Sequence, residues 1–320
     1  MIELAVTLPQ SLTRFLQATV EGLSLAAIYA LLALGFVIIY KSTQVLNFAQ
    51  PALLIFGAYM ASYLSITWGW GFWIGVLVAI ALTAGLGAGL ERVAMRPMVG
   101  KPVFAAAILT LGLDIGIRVF VNDLIGVNVR AIGDPPEGGF GAPGLPWPQL
   151  PWNWGGVIIQ PRSVVMVITT GVLVMALLYF FRRSRFGLAM RATAIDQEVA
   201  LAQGINVGGV FSMAWILGGA MAAVAGVFGA TAFAGLSASN AIAALKALPA
   251  VVVGGLDSIN GAVVGALIIG LAEAYTATYQ AQYAPWLGSN FSQVVPYVVM
   301  LLVLLVRPYG LFGTEEVERV

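Results

Sequence analysis

The feature that most limits how this chain can fold is the recurrence of apolar runs as long as a bilayer is thick. A hydrocarbon core about 30 Å deep calls for about 20 apolar residues in a helix. Candidate runs are residues 15–40, 49–66, 72–90, 103–125, 163–181, 208–233, 242–253, 262–279 and 294–306. Of the 320 residues 60% are hydrophobic and 9% charged, against about 45–50% and about 25% in soluble domains. A water-facing globule cannot hide that much apolar surface, so lipid covers part of it. Inside lipid every backbone N–H and C=O must find a partner within the protein, and a helix supplies those partners along its own length. The expectation is an all-α polytopic membrane protein, one permease-like domain over 1–320, with eight or nine membrane helices. Run 242–253 is the exception. It is short and contains Pro249, so it reads as a broken or re-entrant element.

Charge placement gives an orientation. Arg92, Arg96 and Lys101 follow the third run, and Arg182, Arg183, Arg185 and Arg191 follow the fifth. Lys41 follows the first, and Arg307 and Arg319 lie in the tail. If all nine runs cross, these basic residues share one side, which the positive-inside rule makes the cytoplasm. The N-terminus is then outside and the C-terminus cytoplasmic. Trp68, Trp70, Trp73, Trp147, Trp152, Trp154 and Trp286 then fall at or beyond the outer interface, where amphipathic rings collect. Residues 126–161 form an external loop and residues 182–207 a cytoplasmic one. The first 14 residues carry Glu3 and Pro9 and no basic region before the apolar run, so they read as the approach to a first span rather than a cleaved leader.

Much chemistry is excluded. There is no cysteine and no histidine, which removes disulfides, thiolates and the commonest general base. No phosphate-binding G-x4-G-K-[ST] loop is present. The net charge of +1 offers no field for nucleic acid.

Four constellations interrupt the apolar pattern. In FRRSRFGLAMRATAIDQEVALAQGINV, Asp196, Ala200 and Gly204 recur every four residues, which places them on one face of a helix that Gly204 can end. That face suits insertion into another protein, or the arginines hold the segment to anionic lipid. In KSTQVLNFAQPALLIFGAYM, Asn47, Phe48 and Gln50 stand before Pro51, where a helix N-terminus aims unpaired N–H groups forward, either as an ordinary span start or beside a solute path. In LKALPAVVVGGLDSINGAVVGALIIGLAEAY, Lys246 lies at membrane depth and faces protein or water, while Gly254, Gly255, Gly261 and Gly265 allow close helix packing. Asp114 and Arg118, four apart, either neutralise each other within the helix or line an aqueous path.

The stretches LNFAQPALLIFGAYM, ERVAMRPMV, SRFGLAMRATAIDQEVALAQGINV, GGAMAAVAGV and VVVGGLDSINGAVVGALIIGLAE, in this order, resemble the inner-membrane permeases of high-affinity branched-chain amino acid ABC importers. The likeness is greatest to the shorter of their two permease subunits and runs over nearly the whole chain. It implies a multi-pass protein of the prokaryotic cytoplasmic membrane that forms a path for branched-chain or related amino acids. It implies no catalytic site and no cofactor in this chain, ATP and Mg being used by partner subunits. The implied partners are cytoplasmic ATP-binding subunits, a second permease chain (a paralogue or another copy), an external substrate-binding protein and the lipid bilayer. Asp196, Ala200 and Gly204 match positions that seat in a groove of the ATP-binding subunit, and Arg191 lies in the same segment. Asn47, Phe48 and Ala49 match an Asn-Phe-Ala stretch, but Gln50-Pro51 departs from the family's usual glycine at position 51. Two other readings stay open: an ABC permease for urea, short amides or another small polar solute, and an ion-driven secondary transporter using Asp114, Lys246, Asp257 and Glu273.

Overall fold

The computed structural model describes residues 9–125, 131–134, 144–232, 244–288 and 290–314. It is helical almost throughout, apart from one short hairpin. Each apolar run meets helix where it is described. In chain order these are α1 (Gln10–Thr43), α2 (Gln50–Ser62, continued by a π-helical turn Tyr63–Thr67), α3 (Phe72–Leu90, continued by a π-helical turn Glu91–Met95), α4 (Val103–Ile125), α5 (Pro161–Arg183), α6 (Arg185–Ile195), α7 (Gln197–Ala202), α8 (Val207–Ala232), α9 (Ala247–Gly254), α10 (Ile259–Tyr283) and α11 (Val295–Val306). Among the described residues, six helices are long and apolar enough to cross a membrane.

The chain divides into two compact units: Met1–Ala33, Trp147–Val172 and Lys246–Val320 in one, Leu34–Pro146 and Leu173–Leu245 in the other. In the second unit α2 is central. Eleven of its thirteen residues are buried, as expected for a helix apolar on every side. Against it lie α3, α4 and α8. On α3 the buried stripe is Gly75, Ala79, Thr83 and Gly87, one residue every four, while Trp73, Ile74, Leu77 and Leu82 are exposed. Small side chains turned inward and large ones outward are what lipid dictates, since bulk on the lipid side costs nothing and backbones must approach closely to gain dispersion contact. A Cβ on Gly57 of α2 would stand 2.6 Å from Ala223 Cα of α8 and 3.1 Å from Thr83 Oγ1 of α3, so three helices meet at that glycine.

In the first unit, α9, α10 and α11 pack together. The hairpin of strands Trp152–Trp154 and Val157–Ile159 is pinned by the Ile158 N–H donating to Gln17 Oε1 of α1 at 2.9 Å. The broken element has a definite form. Helix stops at Leu245, Lys246 is a turn, and α9 resumes at Ala247. Pro249 cannot donate to the Leu245 carbonyl and its ring crowds it, which breaks the helix one turn ahead of the proline. At the other end Gly255 takes φ +106°, with Gly313 so close that a Cβ would lie 2.8 Å from its Cα. The last α9 carbonyls are not left bare: the N–H groups of Leu311 and Phe312 donate to Val253 and Gly254 at 2.9 and 3.0 Å.

This packing sets a contrast between two glycines. Gly57→Val drives side-chain carbons into the α8 backbone and should cost about 1–3 kcal/mol, lowering the thermal midpoint of the detergent-solubilised protein. Nothing lies within 4 Å of a Cβ on Gly85, so Gly85→Ala should hold or raise the midpoint. Equal midpoints for the two variants would show that the α2–α8 contact at Gly57 is not tight.

Candidate functional site

The start of α2 is a closed polar knot. Asn47 and Gln50 are fully buried. Asn47 Nδ2 donates to Gln50 Oε1 at 3.3 Å, and Asn47 Oδ1 accepts from the Ala49 N–H at 3.0 Å. Gln50 Nε2 donates to the Gly218 carbonyl of α8 at 3.0 Å. The Phe48 N–H donates to Thr110 Oγ1 of α4 at 3.1 Å. Asp114 stands one turn beyond Thr110, buried, with the Ala52 N–H against its carboxyl and Arg118 paired to Oδ2. Its Oδ1 has no hydrogen bond of normal geometry. So what lies in front of the α2 N-terminus is the protein itself: the Thr110 hydroxyl of α4, which accepts from the Phe48 N–H, and one turn further along the Asp114 carboxylate, whose negative charge suits the positive end of the helix. Asn47, Gln50 and Asp114 are buried here, and Arg118 neutralises Asp114 from a partly exposed position.

Lys246 belongs to a second cluster. Its Nζ pairs with Glu273 Oε1 at 2.5 Å, the side chains being 14% and 9% exposed. Glu273 Oε2 accepts from the Tyr29 hydroxyl of α1 at 2.7 Å. A salt bridge in low dielectric holds only where the geometry is good and the remaining lone pairs are engaged, and Tyr29 supplies that engagement. The cluster ties α1, α10 and the turn before α9. Gly254 and Gly261 face each other across α9 and α10, and a Cβ on Gly265 would lie 2.8 Å from the Gly254 nitrogen.

Residues 187–204 differ from the single helix expected there. They form parts of α6 and α7, with an extended break at Asp196 (φ −158°, ψ 117°). Asp196 is an N-cap: its Oδ1 accepts from the N–H groups of Glu198 and Val199, both at 2.9 Å. A residue that caps a helix must itself leave the helical conformation, so Asp196 cannot share a continuous face with Ala200 and Gly204. Ala200 turns inward and packs with Val207 and Phe211 of α8. Gly204 follows α7 at φ +80°, the left-handed position that glycine fills after a helix. Arg191 donates to the Phe181 carbonyl at the end of α5. Among the side chains left outside are three large apolar ones, Ile195, Val199 and Leu201, 87%, 56% and 58% exposed, interleaved with the exposed Arg191, Asp196, Glu198 and Gln203.

One cluster escaped the sequence reading. Glu91 is buried at 1% exposure, held by Arg96 Nε and Nη2 at 3.2 and 3.1 Å and by the Ser212 hydroxyl of α8. The spacing is five, not the four of an α-helical pair, because the turn Glu91–Met95 is π-helical. A search for i,i+4 pairs passes over it. Among the described residues no group of three or more acidic, histidine or cysteine side chains is placed to hold a metal ion.

These features define a multi-pass helical membrane protein with buried, mutually neutralised charges and an exposed apolar patch on a loop between helices. The chain belongs to the family described as "Branched-chain amino acid transport system / permease component", whose model matches residues 18–304. It is similar to the high-affinity branched-chain amino acid transport system permease protein LivH of Escherichia coli (strain K12), 32% identical over 96% of this chain and 98% of that one. It is similar also to BraD of Pseudomonas aeruginosa, 31% identical over 96% and 98%. A more distant relative is the galactofuranose transporter permease protein YtfT of Escherichia coli, 26% identical over 92% and 80%. Among solved structures, PsaBC from Streptococcus pneumoniae in complex with Fab aligns at TM-score 0.47 and 14% identity over 92% of each chain, a likeness too slight to carry an argument. The protein is a permease subunit of an ABC importer, seated in the prokaryotic cytoplasmic membrane, and not an enzyme.

The Lys246–Glu273–Tyr29 cluster can be tested by its stability. Glu273→Leu strands a buried ammonium and should cost about 3–5 kcal/mol, seen as a large fall in thermal midpoint. The double variant Lys246→Met with Glu273→Leu should recover most of that loss. If the double variant is as unstable as the single, the pair is not an isolated buried ion pair.

Proposed function

We propose that the chain, with a second permease chain, forms the path by which a branched-chain or related amino acid enters the cell. ATP and Mg act at ATP-binding subunits in the cytoplasm, and a binding protein delivers the solute outside. The amino-acid class is supported by identity that is higher to LivH and BraD than to YtfT or to the fructose import permease FruF of Bifidobacterium longum, which is 23% identical. Urea and short amides remain the alternative small polar solutes. The ion-driven alternative loses support because Asp114 and Glu273 are each paired with a cation.

One observation carries the coupling assignment: Ile195, Val199 and Leu201 stand exposed on the segment between α5 and α8. Exposed apolar side chains mark contact with protein or with membrane, and the exposed Asp196 and Glu198 beside them, which anionic lipid repels, favour protein. In this reading the ATP-binding subunit grips these apolar side chains, with Asp196 and Gly204 shaping the segment and Arg191 and Ala200 fastening it to α5 and α8. Asn47, Phe48, Gln50, Asp114 and Arg118 fix the position of α2 beside the path rather than touch the solute. The whole chain acts as one permease domain, with the N-terminus outside, the C-terminus cytoplasmic, eight or nine membrane elements, α9 part of a broken or re-entrant one, 126–161 external and 182–207 cytoplasmic.

Two outcomes test this. Val199→Glu with Leu201→Glu should lower ATP-dependent leucine uptake and substrate-stimulated hydrolysis together, by about tenfold or more, the equivalent of about 1.4 kcal/mol of lost docking, with the permease itself stably folded. Normal stimulated hydrolysis in the assembled complex would remove the segment from coupling. For orientation, Gly138→Cys should react with an impermeant thiol reagent added outside intact cells. Reaction from the cytoplasmic side alone would invert the topology.

A further inference from the structure

A cavity of about 180 Å³ lies within the unit formed by Leu34–Pro146 and Leu173–Leu245. That exceeds the roughly 150 Å³ of an engineered cavity that takes up benzene. Its lining is of two kinds. Met95, Met98, Ala106 and Phe211 are apolar, while Glu91, Lys101, Gln44 and Gln197 bring charge and amide groups. Trp215 also lines it; that residue is fully buried and its indole N–H has no partner among the described residues. A buried donor without an acceptor is costly and marks a place where an acceptor is missing. Glu91 keeps capacity too, since Oε1 accepts one hydrogen bond, from Arg96 Nε, and a carboxylate oxygen has room for another. Beside these, Gln44 has φ +56°, the one non-glycine positive value among the described residues. Backbone strain of that sort clusters at binding and switching sites.

We infer that this cavity is a second amino-acid site, on the product side of the permease. The inference rests on the amino-acid substrate and the cytoplasmic placement proposed above. The lining presents the remaining acceptor capacity of Glu91, already paired with Arg96, for an α-ammonium, Lys101 and an indole N–H for an α-carboxylate, and an apolar floor for an aliphatic side chain. Inorganic phosphate would leave Glu91 and the floor unused. Gln197 is the first residue of α7, directly after the Asp196 break, so an occupant touches the segment assigned to coupling. Amino acid accumulated inside would hold α7 in one position and slow further import.

The test uses the assembled transporter in proteoliposomes loaded with L-leucine or left unloaded, together with binding of labelled L-leucine to the full permease chain without the binding protein. Wild-type uptake should fall several-fold in loaded vesicles. Lys101→Ala, at an exposed position, removes one charge-assisted hydrogen bond and should weaken binding about tenfold. The loaded-to-unloaded uptake ratio should then move toward one. Ala106→Phe, which fills the cavity, should do the same. If leucine is imported but neither binds nor inhibits from inside, or if inhibition is the same in wild type and in Lys101→Ala, the cavity is not such a site while the transport reading stands. If leucine is not imported at all, the substrate reading falls and the ligand class with it.

Discussion

A helix that starts inside a protein core brings N–H groups that water cannot reach, and α2 starts in that way. The rest of its unit is arranged around answering those groups. Asn47 folds back on Ala49, Thr110 meets Phe48, the Asp114 carboxylate stands beside Ala52, and Pro51 brings no donor. Gln50 then spends its own amide on Asn47 and the Gly218 carbonyl. Gly35 of α1 lies against that Gln50 side chain and has no Cβ to obstruct it. Remove the satisfaction of this terminus and α2 has no reason to sit between α3, α4 and α8, because lipid provides no hydrophobic force to press helices together.

The same rule governs the other unit at the opposite pole of a helix. Helix α9 is only eight residues long, so its unpaired carbonyls are a large fraction of its backbone. The tail residues Leu311 and Phe312 donate to the last of them, and the left-handed Gly255 and Gly310 bend the chain so that they can. Lys246, at the first end, is held by Glu273 and Tyr29. A broken helix in a membrane protein is thus sustained by named partners at both ends, in keeping with the requirement that irregular backbone at that depth be enclosed by protein or a cavity.

How much of this was legible depended on whether the signal was local. Apolar runs and Pro249 located the helices and the break, because length and a missing donor act on the residues that carry them. The knot around Asn47 was legible only as a helix start. Its partners lie about 60 and 170 residues away, at Thr110 and Gly218, and no spacing rule reaches them. The face shared by Asp196, Ala200 and Gly204 failed for a physical reason. Aspartate at position 196 satisfies two N–H groups as a cap, and that outweighs continuing one helix. Glu91 and Arg96 were hidden by a π-helical turn that makes fifth neighbours adjacent. The solute is not legible in these residues, since permeases for amino acids and for sugars both resemble this chain.

The failed helix is more useful to a coupling mechanism than the expected one. Arg191 fastens α6 to the last turn of α5, and Ala200 fastens α7 to Val207 and Phe211 of α8. Asp196 is the joint between them, extended in backbone, its N–H donating to the Ala192 carbonyl of α6 and its side chain capping α7. A rigid helix over the same residues would carry a push as a single body. Here α6 packs against α8 as well as α7, so in the proposed coupling a shift of α8 reaches both short helices, one of α5 reaches α6 through Arg191, and the chain bends at the cap beside Ile195, Val199 and Leu201. In that proposal a partner that moves these side chains acts on both membrane helices. Hinge positions are generally a few residues at element ends that absorb a dihedral change, and Asp196, bonded to the helix after it by its side chain, meets that description.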